Sequence, residues 1–261
     1  MTQTSSSPAG AGDAVLAVTG LSWGVGGLTI LEGIDLEVAP GEFLSVIGPN
    51  GAGKTSLINV ISGVHRPLSG RVEIFGEDVT GLRPADRTRR GLGRTFQTSS
   101  LFPGLSVWEN TRLAAQADIG GSLNFLTVPR NSDAAASRAS EALERVGLAD
   151  RADTSVSELS HGDKRKLELA VVLAARPGVL LLDEPTAGVS VEETRPLVDL
   201  IQSVHQSGTT IVMVEHRMEF VIDVSERIAV MHEGRLLTVG DPAEVMADDR
   251  VLSAYLGGTA G

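Results

Sequence analysis

The stretch FLSVIGPNGAGKTSLINVISGV, Phe43 to Val64, holds three motifs in direct succession. A five-residue apolar run (FLSVI) enters a glycine-rich loop, and a helical pattern (SLINVISGV) leaves it. Within the loop, GPNGAGKT from Gly48 to Thr55 matches G-x-x-x-x-G-K-[S/T] between an expected strand and an expected helix. The chemistry asks for these residue types. Glycines let the backbone curl so that several N–H groups face one anion, and the helix N-terminus adds its positive end. Lys54 offers a compact charge to the outer phosphates, where a planar guanidinium would fit less well. The Thr55 hydroxyl suits Mg2+. Gly48, Pro49, Asn50, Gly51, Ala52, Gly53, Lys54, Thr55 and Ser56 are therefore expected to cradle the phosphates of a nucleotide.

Downstream, VLLLDEP (Val179 to Pro185) reads as a buried strand ending in two acids. A carboxylate at the end of such a strand sits where an open α/β sheet binds its ligand. Asp183 is expected to hold Mg2+ through water, and Glu184 to orient or deprotonate an attacking water.

The segments around these two motifs supply the frame. VLAVTGLSW and ILEGIDLEVAPGEFLSVIG alternate apolar and polar positions, as strands with one wet face do. SGRVEIFGEDV reads as a further strand pair, and TTIVMVEH as a buried parallel strand. Residues from about Pro84 to Ala175 read as mostly helical, with breaks at LFPGLS and LTVPRNSD; Ser106 and Glu109 form a capping-box pattern. RIAVMHEGRLLTVG predicts a hairpin turning at Glu233–Gly234, and PAEVMADDRVLSAYLG a closing helix.

Composition narrows the function classes. With 42% apolar but only 3% aromatic residues, the core is expected to be aliphatic. A net charge of −11 argues against general nucleic-acid binding, which rests on Lys and Arg neutralising phosphates. The absence of cysteine excludes disulfides and thiolate metal sites. No apolar run approaches the roughly 18 to 20 residues of a membrane span. The start lacks the pattern of a signal peptide, so residues 1–13 are expected to be a disordered tail on a soluble, cytosolic protein.

In this order the motifs resemble those of the ATP-binding cassette ATPases, the nucleotide-binding subunits of ABC transporters, from about Val15 to Gly257. The resemblance implies an α/β fold: a P-loop NTPase (RecA-like) core with an antiparallel β subdomain and an inserted α-helical subdomain at about 98–175, all within residues 14–257. It implies ATP and Mg2+ as ligands. Gln97 in RTFQTSSLF matches the glutamine that reaches Mg2+ and the water and links to the helical subdomain. His216 in VMVEH matches the histidine that contacts the γ-phosphate, and LSHGD stands where the signature LSGGQ belongs. Two cassettes, identical or paralogous, are then expected to close head to tail around two ATP molecules. Their motion would pass through a groove near Gln97 to Glu109 to transmembrane permease subunits at the cytoplasmic face of the membrane.

LSHGDKRKLELA, DEPTAGVSVEET, VEHRM and GDPAEVMADDRVLSAYLG look like cassettes of branched-chain amino acid importers, a group that includes urea and short-amide uptake systems. Such importers work with an extracytoplasmic solute-binding protein. The competing expectation, a soluble ABC ATPase acting on DNA or ribosomes, lacks its coiled coil, its second cassette and its positive charge here.

Two departures from the family pattern stand out. Where an aromatic usually stacks on adenine this chain has Val25; Trp23, two residues earlier on the same strand face, either substitutes or packs in the core. Where the loop after Glu184 commonly has Asp, the chain has Ser190, a capping-box partner for Glu193.

In LSHGD itself, His161 and Asp163 lack further ligands for a metal, since His65, His205 and His232 lie in unrelated segments. Neighbours this close at a helix start point in different directions. The stretch reads as a helix N-terminus with Ser160 as N-cap and Asp163 as its capping-box partner. Ser160 and Gly162 would face the γ-phosphate bound by the other subunit. Lys164, Arg165 and Lys166 are expected to offset the charge of Asp163.

Overall fold

A computed structural model describes residues 14–95, 101–119 and 134–256 of the chain. The first strands, β1 (Leu16–Val25) and β2 (Leu28–Val38), pair antiparallel. On β2 the alternation sends Ile34, Leu36 and Val38 inward and leaves Gly33, Asp35 and Glu37 exposed. β3 (Phe43–Ile47) is buried at every position and runs into the glycine loop and α1 (Lys54–Ile61). β4 (Ser69–Ile74) and β5 (Glu77–Asp78) complete a four-stranded antiparallel sheet ordered β2-β1-β4-β5.

After α2 (Pro84–Thr88) comes β6 (Leu92–Arg94), then the helices α3 (Val107–Ile119), α4 (Ala134–Arg145) and α5 (His161–Leu173). The expected capping box starts α3: Glu109 N–H donates to Ser106 Oγ at 3.1 Å, and Ser106 N–H to Glu109 Oε2 at 2.8 Å. The chain returns through β7 (Val179–Asp183), α6 (Val191–Gln206), β8 (Thr210–Val214), α7 (Met218–Val224), β9 (Arg227–His232), β10 (Arg235–Gly240), α8 (Pro242–Met246) and α9 (Asp249–Leu256).

The second sheet is ordered β10-β9-β3-β8-β7-β6, parallel throughout except for the antiparallel edge strand β10. β7 and β8 are buried at all positions, as strands covered on both faces are. One aliphatic cluster fills the space around α1 between the two sheets. Another packs α3–α6 against the opposite face through Leu180, Leu182, Ile211 and Met213. The α/β core and the antiparallel subdomain match the expected fold, and the hairpin turns at Glu233–Gly234 with φ of 48° and 77°.

One local expectation is refined and one corrected. The run from Pro84 to Ala175 carries α2 to α5 as expected, but it also holds an edge strand: Leu92–Arg94 pairs with β7, Leu92 opposite Val179. The end of the chain forms two helices, because the Asp248 carboxylate accepts from Arg250 N–H at 2.8 Å and starts a second one.

Candidate active site

β3 delivers the phosphate loop at the carboxyl end of the parallel sheet. Gly48 has φ 148°, and a Cβ there would run into the Met231 carbonyl of β9. Gly53 stands at φ 100° as the N-cap of α1, with no side chain capping the helix and no acid in its first turn. The helix start is thus open to an anion. Lys54 is buried, and its ammonium donates to the carbonyls of Gly48 (2.8 Å) and Pro49 (2.9 Å). Desolvation lowers its pKa, opposed by the negative charges of Glu184 and Asp183. Ala52 is buried, Thr55 and Ser56 are half-buried, and Asn50 and Gly51 are exposed.

Asp183 closes β7 opposite Val214 of β8. Its side chain is fully buried. Oδ2 lies 3.4 Å from Arg94 Nη2, and Oδ1 accepts no hydrogen bond among the described residues. Burial raises the Asp183 pKa and Glu184 adds to the rise, while Arg94 and Lys54 pull it back. Arg94, from β6, also donates to Ser62 Oγ at 2.6 Å. The overlooked edge strand therefore carries a cation into the site. Glu184 adopts φ 50°, a conformation that costs a non-glycine residue about 1–3 kcal/mol, and its N–H donates to the Val214 carbonyl at 2.9 Å.

His216 follows β8 with an exposed side chain, its Nδ1 3.5 Å from the buried Glu215 carboxylate. Gln97 lies outside the described residues. The Trp23 ring stacks on His65 with centroids 4.4 Å apart and packs against the inter-sheet core, while Val25 is exposed.

Ser160 and Gly162 begin α5 as expected, with Asp163 N–H donating to Ser160 Oγ at 3.1 Å. The reciprocal half of the capping box is absent: the Asp163 carboxylate is drawn to Arg151 (3.2 Å) and Lys166 (3.4 Å). Arg165 does not offset Asp163, since it binds Glu168 and the Ala187 carbonyl. Glu193 of α6 fills the space beside the α5 start; a Cβ on Gly162 would lie 2.5 Å from Glu193 Oε1. The neighbour of Ser160 and Gly162 is thus Glu193, not the phosphate loop. Glu193 N–H also donates to Ser190 Oγ at 3.3 Å, as the capping pattern predicts.

Lys54, Asp183 and Glu184 thus converge through their charges, and Ser160 and Gly162 form a second element beside α6. Sequence reading missed Arg94, Glu215 and Tyr255. Burial pushes the Tyr255 phenol on α9 up, and the Gly48 N–H works the other way. All three lie within quoted motifs (RTFQTSSLF, VMVEH and GDPAEVMADDRVLSAYLG), but their partners are distant in sequence and spacing gave them no role.

A family model described as ABC transporter matches residues 31–187, and one for branched-chain amino acid ATP-binding cassette transporters matches residues 235–261. The high-affinity branched-chain amino acid transport ATP-binding protein LivG of Escherichia coli (strain K12) is 37% identical over 249 residues, covering 93% of this chain and 98% of its own. The corresponding BraF of Pseudomonas aeruginosa is 35% identical over 251 residues, with 93% and 98% covered. A solved ATP-binding cassette of an ABC transporter in its ADP conformation superposes with a TM-score of 0.83 at 28% identity, covering 94% of this chain and 99% of that one.

Proposed function

The chain belongs to the ATP-binding cassette ATPases of ABC transporters, and from that premise we propose that it energises import of branched-chain amino acids. The observation that carries the solute is the C-terminal match at residues 235–261, together with likeness to LivG and BraF along nearly the whole chain. We read residues 14–257 as one nucleotide-binding domain with a helical subdomain at about 98–175.

We assign the roles as follows. The phosphate loop binds ATP, and Lys54 reaches its outer phosphates from its position on the Gly48 and Pro49 carbonyls. Glu184 orients the water and accepts its proton, Gln97 links the water to the helical subdomain, and His216 faces the γ-phosphate. Ser160 and Gly162 offer a hydroxyl and an N–H to the nucleotide of a second cassette. Trp23, stacked on His65, stands as the candidate aromatic for adenine.

The residues present fit Mg2+. Asp183 Oδ1 is buried without a donor, and a half-buried Thr55 begins α1 after Lys54. Among the described residues no group of three or more His, Cys, Asp or Glu could hold a metal; nucleotide phosphates and water would supply the remaining ligands. Held by Asp183 and Thr55, such an ion would supply neutralisation of phosphate charge.

No helix among the described residues is long and apolar enough to cross a membrane. By likeness to LivG and BraF, the chain would sit on permease subunits at the cytoplasmic face, with an extracytoplasmic protein supplying the solute. A groove between α2, α3 and α5, walled by Pro84, Ala85, Ala114, Ala117, Val171 and Val172, suits an apolar permease segment. The test is uptake of labelled leucine and urea by cells with and without the gene. Loss of leucine uptake alone is expected; loss of urea uptake alone would reassign the solute.

A further inference from the structure

Glu215 closes the strand that precedes His216, and nothing above gives it a role. It is 1% exposed, and among the described residues its only ionic neighbour is His216. A carboxylate buried this way costs several kcal/mol unless hydrogen bonds replace its water. They do, and they divide cleanly between two loops. Oε1 accepts from the N–H of Thr186 at 3.2 Å and from the Thr186 hydroxyl. Oε2 accepts from the N–H of His216 at 2.8 Å and of Arg217 at 3.2 Å, with His216 Nδ1 at 3.5 Å.

Thr186 lies two residues beyond Glu184, in a turn closed by the Ala187 N–H on the Glu184 carbonyl at 3.0 Å. Both loops leave adjacent parallel strands at their carboxyl ends, where such sheets bind ligands. We propose that Glu215 is a positioning residue that holds the Glu184 turn and the His216 turn in one register for ATP hydrolysis. One carboxylate oxygen is committed to each turn, so a shift of either breaks hydrogen bonds in a buried site. The tie also bears on Glu184 at φ 50°, since such a conformation persists only where its surroundings over-determine it. It leaves His216 Nδ1 turned towards Glu215.

The chemistry explains why the residue is an acid. Its hydrogen-bonding neighbours are donors: three backbone N–H groups and one hydroxyl. An ionised carboxylate is acceptor-only, whereas a glutamine amide must point two donors at one of the loops. Glutamine keeps the shape and breaks one half of the tie.

This inference rests on the ATPase reading of Glu184 and His216, and the experiment separates the two. Steady-state ATP hydrolysis and fluorescent-ATP binding are measured on the full chain as wild type, Thr186→Val, Thr186→Ser and Glu215→Gln, each with its melting temperature. Thr186→Val and Glu215→Gln are expected to lower kcat by about tenfold or more while KM and ATP affinity stay within about twofold. Thr186→Ser, which keeps the hydroxyl, is expected to restore kcat. Should Glu215→Gln fail to fold, the Thr186 pair decides. A folded Thr186→Val with wild-type kcat would overturn the proposal, as would a serine variant no better than the valine. A wild-type chain that neither binds nor hydrolyses ATP would instead overturn the reading beneath it.

Discussion

The Ser160 hydroxyl lies 3.3 Å from the Glu193 carboxylate oxygen, so the helix end read as an anion site already faces an acid of its own chain. An incoming phosphate would meet that charge. Two like charges about 4 Å apart repel by ~4 kcal/mol at an effective dielectric near 20. Glu193 is only half-buried and can swing aside, so most of that repulsion relaxes. Glu193→Gln should therefore tighten ATP-dependent pairing of two cassettes by several-fold, about 1 kcal/mol. Sedimentation with ATP in a Glu184→Gln background reads this directly. Weaker pairing would mean that Glu193 shapes the α5 start rather than guarding it.

Arg87 supports a prediction about stability. It is 1% exposed and donates to the carbonyls of Val60 (2.8 Å) and Ile61 (2.6 Å), which end the helix after the phosphate loop, and to those of Leu82 and Thr80. Burial lowers its pKa to about 10, which leaves it charged at neutral pH. Arg87→Ala would strand several buried acceptors, each worth about 1–3 kcal/mol. A loss on the order of 3 kcal/mol or more is expected in chemical denaturation. Arg87→Lys should recover little, because an ammonium cannot reproduce the planar fork.

The motifs that were legible in sequence are those whose partners lie close along the chain. The phosphate loop, VLLLDEP and the Ser106–Glu109 cap each fit within a dozen residues, so spacing alone carries them. Leu92–Arg94 was not legible: three residues with a central glycine have no alternation, and only the neighbouring strand makes them a strand. Arg94 was hidden with it, since its partner Asp183 is 89 positions away. The Glu215–Thr186 tie spans 29 positions and was equally invisible. The half-formed cap at Asp163 failed for the same reason, because Arg151 on another segment competes for its carboxylate.

Lys54 and Glu184 predict opposite defects. Lys54 is a buried cation that feels the charges of both acids, so Lys54→Ala should remove ATP binding in a fluorescence titration. Unchanged affinity would mean the loop has been misread. Glu184→Gln keeps the loop and removes the base. It should bind ATP normally, lose turnover and run as an ATP-dependent dimer on size exclusion. A monomer under those conditions would argue against a site shared between two cassettes.

Asp163 offers the last test, because its carboxylate lies at the same helix end as Ser160 yet faces away from it. Arg151 and Lys166 hold it at 3.2 and 3.4 Å; Arg151 is exposed and Lys166 half-buried. Exposed ion pairs contribute ~1 kcal/mol or less, so Asp163→Asn should cost little stability. It leaves in place the backbone N–H that donates to the capping Ser160 hydroxyl. It also frees two cations beside a site meant for phosphate, which raises the local positive potential. ATP-driven dimerisation of Asp163→Asn should accordingly match or exceed wild type, with the gain shrinking as salt is raised. Weaker dimerisation at low salt would mean that the Arg151–Asp163–Lys166 cluster fixes the α5 start, and that this outweighs the charge it removes.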